Sequence, residues 1–131
     1  MTRRAFQLTE EDEECLAAQG RSWEAIVEGG VKWLIFADFP VPDAYNHTIV
    51  SAALRVPPSY PDDQIDMVYF SPPLALKSGR AIGALTTIQI DGKQYQQWSR
   101  HRTQANPWRP GLDNVCTHLL QVDCWLQREI R

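Results

Sequence analysis

The sequence predicts an α+β fold in which helices at the two ends of the chain pack on a central antiparallel sheet. Segments with strand-like composition lie in the middle of the chain, and helix-like segments lie near both ends. Gly29-Gly30 and Asp91-Gly92 each separate two strand-like segments, a spacing typical of tight hairpins between antiparallel neighbours. This segregation favours an α+β layer fold over a parallel doubly wound sheet.

A short N-terminal helix is predicted after Thr9. This threonine is a suitable N-cap, and the acidic residues of "TEEDEE" follow it, where the helix dipole favours negative charge. Gly20 provides a C-terminal stop. We expect Leu16 to face the core, with Cys15 or Ala18 beside it, and the acidic residues to form a solvated face.

The middle of the chain predicts a meander of about four strands followed by a DG hairpin. "SWEAIVEGGVKWLIFADF" contains two strands around Gly29-Gly30, and "NHTIVSAALRV" places its apolar residues on one face by a period of two. "IDMVYF" is the next strand and ends at Ser71-Pro72-Pro73. "TTIQIDGKQYQQW" then carries Asp91-Gly92 between two alternating segments, which predicts the DG hairpin.

A long closing helix is predicted to begin near Leu112 or Asp113, because Pro107, Pro110 and Gly111 block regular structure before it. Its apolar residues recur at threes and fours and form one stripe that must cover the sheet. These residues are Leu112, Val115, Leu119, Val122, Leu126 and Ile130.

Composition is that of an ordinary globular protein. A length of 131 residues with 44% hydrophobic and 22% charged residues predicts one domain over residues 1–131. The net charge of -3 argues against general nucleic-acid binding, which requires a basic face. No apolar run reaches the roughly 18 residues of a membrane span, and the N-terminal residues lack a secretory signal. A cytoplasmic location is therefore expected.

The cysteines and histidines predict neither a metal site nor a cofactor. Cys15, Cys116 and Cys124 are odd in number and form no CxxC pair, which fits a reducing cytoplasm. On the closing helix, Cys116 is expected to act as a small apolar side chain. His47 and His118 have no partner at the spacing of metal ligands.

Two segments carry a family resemblance. "ALRVPPSYPDDQIDMVYFSPPL" resembles the sheet signature of the ubiquitin-conjugating enzyme (UBC) superfamily, in which a strand leads into a Pro-x-x-Tyr-Pro turn, here residues 57–61, and then into another strand. "NPWRPGLDNVCTHLLQVDCWL" resembles the tryptophan-proline step before the helix that follows the UBC active site, with Trp108 and Pro110 in the corresponding places. Over nearly its whole length the chain is similar to the prokaryotic UBC family E.

This resemblance implies a UBC-like fold and a bacterial ubiquitin-like conjugation system. The family's genes typically lie beside activating-enzyme-like, ubiquitin-like and JAB-peptidase genes, a setting associated with antiphage defence. The implied partners are therefore an activating-enzyme-like protein and a ubiquitin-like protein, with neither nucleic acid nor a membrane as a partner. The implied activity is to accept the C-terminus of the ubiquitin-like protein and to transfer it to a target.

The chain departs from the UBC pattern at the reaction centre. Members of the superfamily carry a His-Pro-Asn motif and, a few residues on, a cysteine that holds the ubiquitin-like C-terminus as a thioester. Neither lies between Pro72 and Trp108. The resemblance places the centre near "QWSRHRTQANPW", residues 97–108, where Ser99 is the best-placed candidate to hold the acyl group as an oxyester.

A serine hydroxyl is a weak nucleophile and needs a base. In an extended chain, side chains two positions apart share a face, so His101 is expected beside Ser99 as base or orienter. Arginine side chains are suited to docking a partner, because guanidinium groups bind carboxylates through two parallel hydrogen bonds. The predicted binding residues are Arg100, Arg102, Trp108 and Arg109.

Other interpretations stay open. Ser99 fits a strand-end hydroxyl that bonds nearby backbone, the arginines could pair with the chain's own acids such as Asp113, and Trp108 fits a turn anchor. Cys116 is a second candidate nucleophile if residues 97–108 fold over it. The whole chain also fits a catalytically silent UBC-like module that binds a ubiquitin-like protein or an activating enzyme. A nucleic-acid patch around "WSRHR" is a weaker third function.

Overall fold

The computed structural model describes residues 2–131, and these form two helices on one antiparallel sheet of six strands, in the order β1-β2-β3-β4-β6-β5. The predicted α+β class is confirmed. The predicted count of about four strands in the sheet is not confirmed, because β4 pairs with β6 and the DG hairpin thereby completes one sheet of six strands. The elements are α1 (Glu10–Ala18), β1 (Glu24–Glu28), β2 (Val31–Pro40), β3 (Ile49–Val56), β4 (Val68–Ser71), β5 (Leu85–Ile90), β6 (Lys93–Trp98) and α2 (Val115–Ile130).

Both predicted two-residue hairpins are confirmed. Glu28 pairs with Val31 around Gly29-Gly30, and Ile90 pairs with Lys93 around Asp91-Gly92. All four turn residues have positive φ, between 54° and 80°, which is the geometry of type I′ turns. The turn sequences alone therefore set the register of β1 with β2 and of β5 with β6.

One face of the sheet packs against the two helices. Leu16 on α1 and the apolar stripe of α2 contribute to a continuous core with the inward residues of the strands. Trp98, at the end of β6, is fully buried in this core and contacts Phe70 edge to face at 5.3 Å. Tyr45 donates a hydrogen bond of 2.7 Å from its hydroxyl to the Leu126 carbonyl, which ties α2 to the loop before β3.

The closing helix begins later than predicted. Asn114 is its N-cap and forms a capping box with Thr117, and Val115 is the first helical residue. Leu112 precedes the helix in a turn closed by bonds to the Arg109 carbonyl, and it is 68% exposed. Its expected place in the buried stripe is therefore wrong, whereas the stripe from Val115 onward is confirmed.

The acidic face of α1 is solvated only in part. Thr9 caps the helix as predicted by accepting a bond from the Asp12 amide. Asp12 itself is fully buried and accepts 2.6 Å and 3.1 Å hydrogen bonds from the Tyr60 hydroxyl and the Val115 amide. The expectation of a wholly solvated face is wrong, because this carboxylate points inward and accepts a hydrogen bond from the amide of Val115, the first residue of α2.

The other face of the sheet is concave, because the two ends of the sheet curl toward each other. In a flat sheet, β1 and β5 would lie five strand spacings apart, about 24 Å. Here the Asp91 amide at the tip of the β5–β6 hairpin lies 3.0 Å from the Glu28 carboxylate at the end of β1, so the sheet curls. The concave-face cluster enclosed in this way consists of Ile26, Trp33, Ile35, Ala53, Tyr69, Ile90 and Tyr95.

The cysteines differ from expectation. Cys15 on α1 and Cys116 on α2 form a disulfide that closes a sequence separation of 101 residues, and Gln19 places its side-chain amide 3.5 Å and 3.6 Å from the two sulfurs. Cys124 is free and exposed. The expectation of an unpaired Cys116 is therefore wrong, because α1 packs beside α2 at the position of this side chain.

Within residues 2–131, no helix is long and apolar enough to span a membrane.

Candidate functional site

The segment from Ser99 to Trp108 leaves the sheet in a sharp turn. The Ser99 amide still bonds the Ala84 carbonyl beside β5, but the Arg100 amide bonds the Trp98 carbonyl at 2.9 Å. A bond between residues two apart closes a γ-turn centred on Ser99. The extended geometry expected at Ser99 is therefore absent, and the alternation of faces that it would give ends at β6.

Ser99 and His101 contact different groups as a result. The Ser99 hydroxyl lies 3.4 Å from the side-chain amide of Gln97. His101 Nδ1 lies 2.8 Å from a carboxylate oxygen of Asp66, before β4, and its side chain is 60% exposed. Across residues 2–131, the Ser99 hydroxyl forms its one side-chain hydrogen bond with Gln97 and none with His101.

The His101–Asp66 pair has the geometry of an oriented base. A carboxylate on Nδ1 favours the tautomer with its proton on Nδ1, which leaves Nε2 as a proton acceptor facing solvent. The second carboxylate oxygen of Asp66, Oδ1, is buried and has no hydrogen-bond partner in the described part of the chain. This arrangement can accept a proton from a hydroxyl or amine brought to Nε2.

Arg100 and Arg102 diverge along α2. Arg100 forms a 2.9 Å ion pair with Glu129 near the end of α2, and Arg102 lies 3.8 Å from Asp113, just before its start. The 16 residues of α2 span about 24 Å. The two guanidinium groups, 17% and 5% exposed in their side chains, bind the chain's own acids, as the alternative interpretation held.

Trp108 anchors a turn. Its indole nitrogen donates a 2.9 Å hydrogen bond to the Pro61 carbonyl. The centre of its ring lies 6.2 Å from that of Tyr60 and 5.2 Å from the guanidinium carbon of Arg102. Trp98 is fully buried, so it cannot stack on a base as the nucleic-acid interpretation required. Arg109 is exposed, and its backbone amide donates to Asp113.

A buried polar cluster beneath this segment was missed in the sequence. His118 is fully buried on α2, and its Nε2 lies 2.8 Å from the Met67 carbonyl. Burial, with a smaller contribution from the Arg102 charge, lowers the pKa of His118 to about 4. Arg102 Nε and His118 Nδ1, like Asp66 Oδ1, are buried without a partner among residues 2–131. The position of His118, three residues after Val115 on the apolar stripe, is the sequence signal that indicates its burial. Nothing in the sequence indicates that Asp66 lies nearby.

The other candidate nucleophile, Cys116, is bonded to another cysteine, and the described residues contain no metal-binding cluster. Cys116 is bonded to Cys15, so it has no thiol to offer in this state. Asn106 lies in a turn, where its backbone amide bonds the Thr103 carbonyl and its side chain bonds Gln121. Residues 2–131 contain no group of three or more His, Cys, Asp and Glu side chains that could hold a metal ion.

A family model described as Prokaryotic E2 family E matches residues 8–129. No curated protein and no solved structure matches the chain. The match runs from before α1 to the last turn of α2, so it covers both helices and the whole sheet. The E2 proteins are the ubiquitin-conjugating enzymes, and the resemblance carried by the Pro-x-x-Tyr-Pro turn and by Trp108 is confirmed at the level of the family. The chain therefore belongs to prokaryotic E2 family E.

Proposed function

We propose that the protein accepts the C-terminus of a ubiquitin-like protein from an activating enzyme and passes it to an amine or hydroxyl of a target, through an oxyester on Ser99. The observation that carries this proposal is the exposed imidazole of His101, two residues after Ser99. Asp66 contacts Nδ1 of this ring, so Nε2 is left to accept a proton. Membership of an E2 family gives the chain a general relation to ubiquitin conjugation. The oxyester, the named residues and the transfer itself are the proposal.

The proposed chemistry is acyl transfer in two steps. The Ser99 hydroxyl attacks the carbonyl of the activated C-terminus, its proton passes to His101 Nε2, and the group on the activating enzyme leaves as the ester bond forms. A target amine or hydroxyl then attacks the ester and loses its own proton to water as the new amide or ester bond forms, and the serine oxygen leaves with the proton from the imidazolium. Asp66 stabilises the positive charge on His101 between the two steps.

The first step requires Ser99 to move toward His101. The Gln97 contact with the serine hydroxyl is long, at 3.4 Å, and is a weak restraint. The Ser99–Ala84 and Arg100–Trp98 backbone bonds hold the turn, so we propose that the side chains rotate while the γ-turn stays in place. Arg109, exposed on the same segment, is the proposed docking group for a carboxylate of the partner.

An intact-mass measurement tests the proposal. The chain is mixed with an activating enzyme, ATP and a ubiquitin-like protein, and an adduct is expected that hydroxylamine removes and a thiol reductant does not. Ser99→Ala should abolish it, and Asp66→Asn should slow its formation by about a hundredfold, within the range of a lost general base. Ser78→Ala, in an exposed loop, is the matched control and should leave the adduct unchanged. An adduct of normal yield on the Ser99→Ala variant would refute the assignment.

The second candidate function is a silent binding module. Two observations favour it. Arg100 and Arg102 pair with the chain's own acids. Within the described residues, the side-chain contact of the Ser99 hydroxyl is the Gln97 amide and not a base. Such a module would bind a ubiquitin-like protein or an activating enzyme and would form no adduct on any residue. Binding by the wild-type chain without a mass shift in the mixture above would favour this function over the first.

The compartment and the biological setting remain predictions. The lack of an apolar span and of a secretory signal, together with the cysteine pattern, predicts a cytoplasmic location, and the Cys15–Cys116 disulfide counts against a reducing compartment. The antiphage setting and the identity of both partners rest on family resemblance. Genes for an activating enzyme and a ubiquitin-like protein beside this one would support the proposed partners.

A further inference from the structure

The outer edge of β5 is open in the described part of the chain. β5 is the last strand of the sheet, and its pairing is with β6 alone. In a two-residue hairpin the residues next to the turn form a hydrogen-bonded pair, and the backbone groups then alternate between facing the partner strand and facing outward. Because Ile90 pairs with Lys93, the amides and carbonyls of Leu85, Thr87 and Gln89 face outward.

The opposite edge of the sheet follows the same rule but is covered. Glu28 pairs with Val31, so the backbone of Ala25 faces outward from β1. Ala25 bonds the N-terminal segment on that side: its amide donates to the Arg3 carbonyl at 2.9 Å, and its carbonyl accepts from the Ala5 amide at 2.8 Å. β1 also begins and ends with a glutamate. Within residues 2–131, the N-terminal segment thus covers the β1 edge, and the β5 edge has no strand beside it.

The sequence of β5 has none of the usual guards of an exposed edge. Natural edge strands carry charged residues, prolines or bulges that prevent pairing with another chain. "LTTIQI" has no charge and no proline, and its pairing with β6 runs without interruption from Leu85 to Ile90. A groove of about 140 Å³ lies across β5 and β6 and is lined in part by Pro73, Leu85 and Gln96. The edge can bind an extended peptide through its backbone while the groove takes side chains of the peptide.

We propose that this edge binds the C-terminal tail of the ubiquitin-like protein as an added strand antiparallel to β5, an inference that rests on the proposed function. The Leu85 end of β5 lies opposite Trp98, beside Ser99. A peptide that brings its C-terminus to this end must therefore run antiparallel to β5. It lies two strand spacings from β6, about 10 Å, and about three extended residues span that distance to Ser99.

Hydrogen exchange gives a residue-level test that needs neither activating enzyme nor ATP. The probe is a synthetic ten-residue peptide with the C-terminal sequence of the ubiquitin-like protein used above and a free carboxylate. The amides of Leu85, Thr87 and Gln89 should exchange rapidly in the free protein and become protected when the peptide binds. The amides of Thr86 and Ile88, which face β6, should be protected in both states. Binding that leaves the outward amides unprotected would overturn the inference.

A backbone substitution tests the same contact by affinity. Thr87→Pro removes an outward amide, a change that edge strands tolerate, and should weaken binding of the labelled peptide by about tenfold or more. Thr87→Val keeps the amide and is the matched control. Gln89→Pro provides a second variant if Thr87→Pro is misfolded by circular dichroism. Equal affinity of a folded proline variant and the valine control would contradict the proposal.

The outcomes separate this inference from the proposed function. Peptide binding at the edge without an adduct on Ser99 would leave the docking surface intact and refute the carrier role. An adduct on Ser99 without edge binding would refute the docking surface alone. A concentration-dependent dimer that protects the same three amides without peptide would assign the edge to a second copy of this chain and overturn the inference.

Discussion

His118 is a fully buried side chain that must stay neutral in the folded protein. Burial lowers its pKa from 6.5 to about 4, and Arg102 adds to this effect, while Asp66 and Asp113 oppose it. Between these values the unfolded chain binds the proton more readily, so folding stability falls as the pH falls from about 6.5 toward 4. The loss should be on the order of 3 kcal/mol once both states are below their pKa values.

Urea unfolding between pH 4 and pH 7 checks this prediction. His118→Gln keeps a donor for the Met67 carbonyl but does not titrate, so its free energy of unfolding should vary less with pH than that of the wild type. The difference between the two curves isolates His118 from the carboxylates that titrate in the same range. Parallel curves would show that His118 is protonated equally in both states.

The residues of the candidate site show which contacts the sequence could not predict. The chemistry and the family resemblance single out Ser99, His101 and the arginines, and Asp113 is among the acids that the sequence offers the arginines, but no motif links Asp66 to His101 or Glu129 to Arg100. A single γ-turn at Ser99 redirects every side chain after it. No period or motif in the sequence indicates that turn, so the expected pairing of Ser99 with His101 had no physical basis beyond an assumed extended chain.

The β5–β6 hairpin is held over the concave face by an ion network at its tip. Arg3 bonds both carboxylate oxygens of Asp91, at 2.9 Å and 2.7 Å, and also binds Glu24 at 3.0 Å. The guanidinium lowers the pKa of Glu24 to about 2 and lowers the pKa of Asp91. These contacts contribute stability above the ordinary carboxylate pKa, and the contribution is lost as the pH falls from about 4.5 to about 2.

Replacement of Arg3 should loosen the hairpin more than the fold. Because these groups are partly exposed, we expect Arg3→Ala to lower the free energy of unfolding by no more than about 1 kcal/mol. Hydrogen exchange of the Asp91 amide, which bonds Glu28, should accelerate in this variant at pH 7. Gln94→Ala, an exposed and uncharged position in the same hairpin, is the control. Equal exchange in both variants would count against the network.

The elements themselves were largely predictable because their signals are local. Both type I′ turns, the Thr9 cap and the apolar stripe from Val115 onward depend on residues close in sequence, and all are confirmed. The curl of the sheet was not predictable, because it depends on contacts between β1 and a hairpin more than 60 residues later. The burial of Asp12 was hidden for the same reason, since Tyr60 and Val115 come from distant segments.

The disulfide between α1 and α2 should stabilise the entire fold. Constraint of the unfolded chain by a bridge of this length, 101 residues in separation, typically contributes about 2–4 kcal/mol. Alkylation of the native protein without reductant should modify Cys124 alone, and reduction in denaturant should expose two further thiols. Cys116→Ser should lower the free energy of unfolding by the amount above, and Cys124→Ser should leave it unchanged. Three modified thiols without reductant would contradict the bridge.

Arg100 pairs with Glu129 near the end of α2, and Arg102 pairs with Asp113 just before its start. The loop that begins at Ser99 is therefore attached to both ends of this helix. Two nearly adjacent arginines reach acids at the two ends of one helix, so the length of that helix and the reach of those side chains must match. Insertion of one helical turn into α2 would move the ends apart by about 5.4 Å and leave one arginine without its acid. The length of the helix and the course of the loop are therefore matched at both ends.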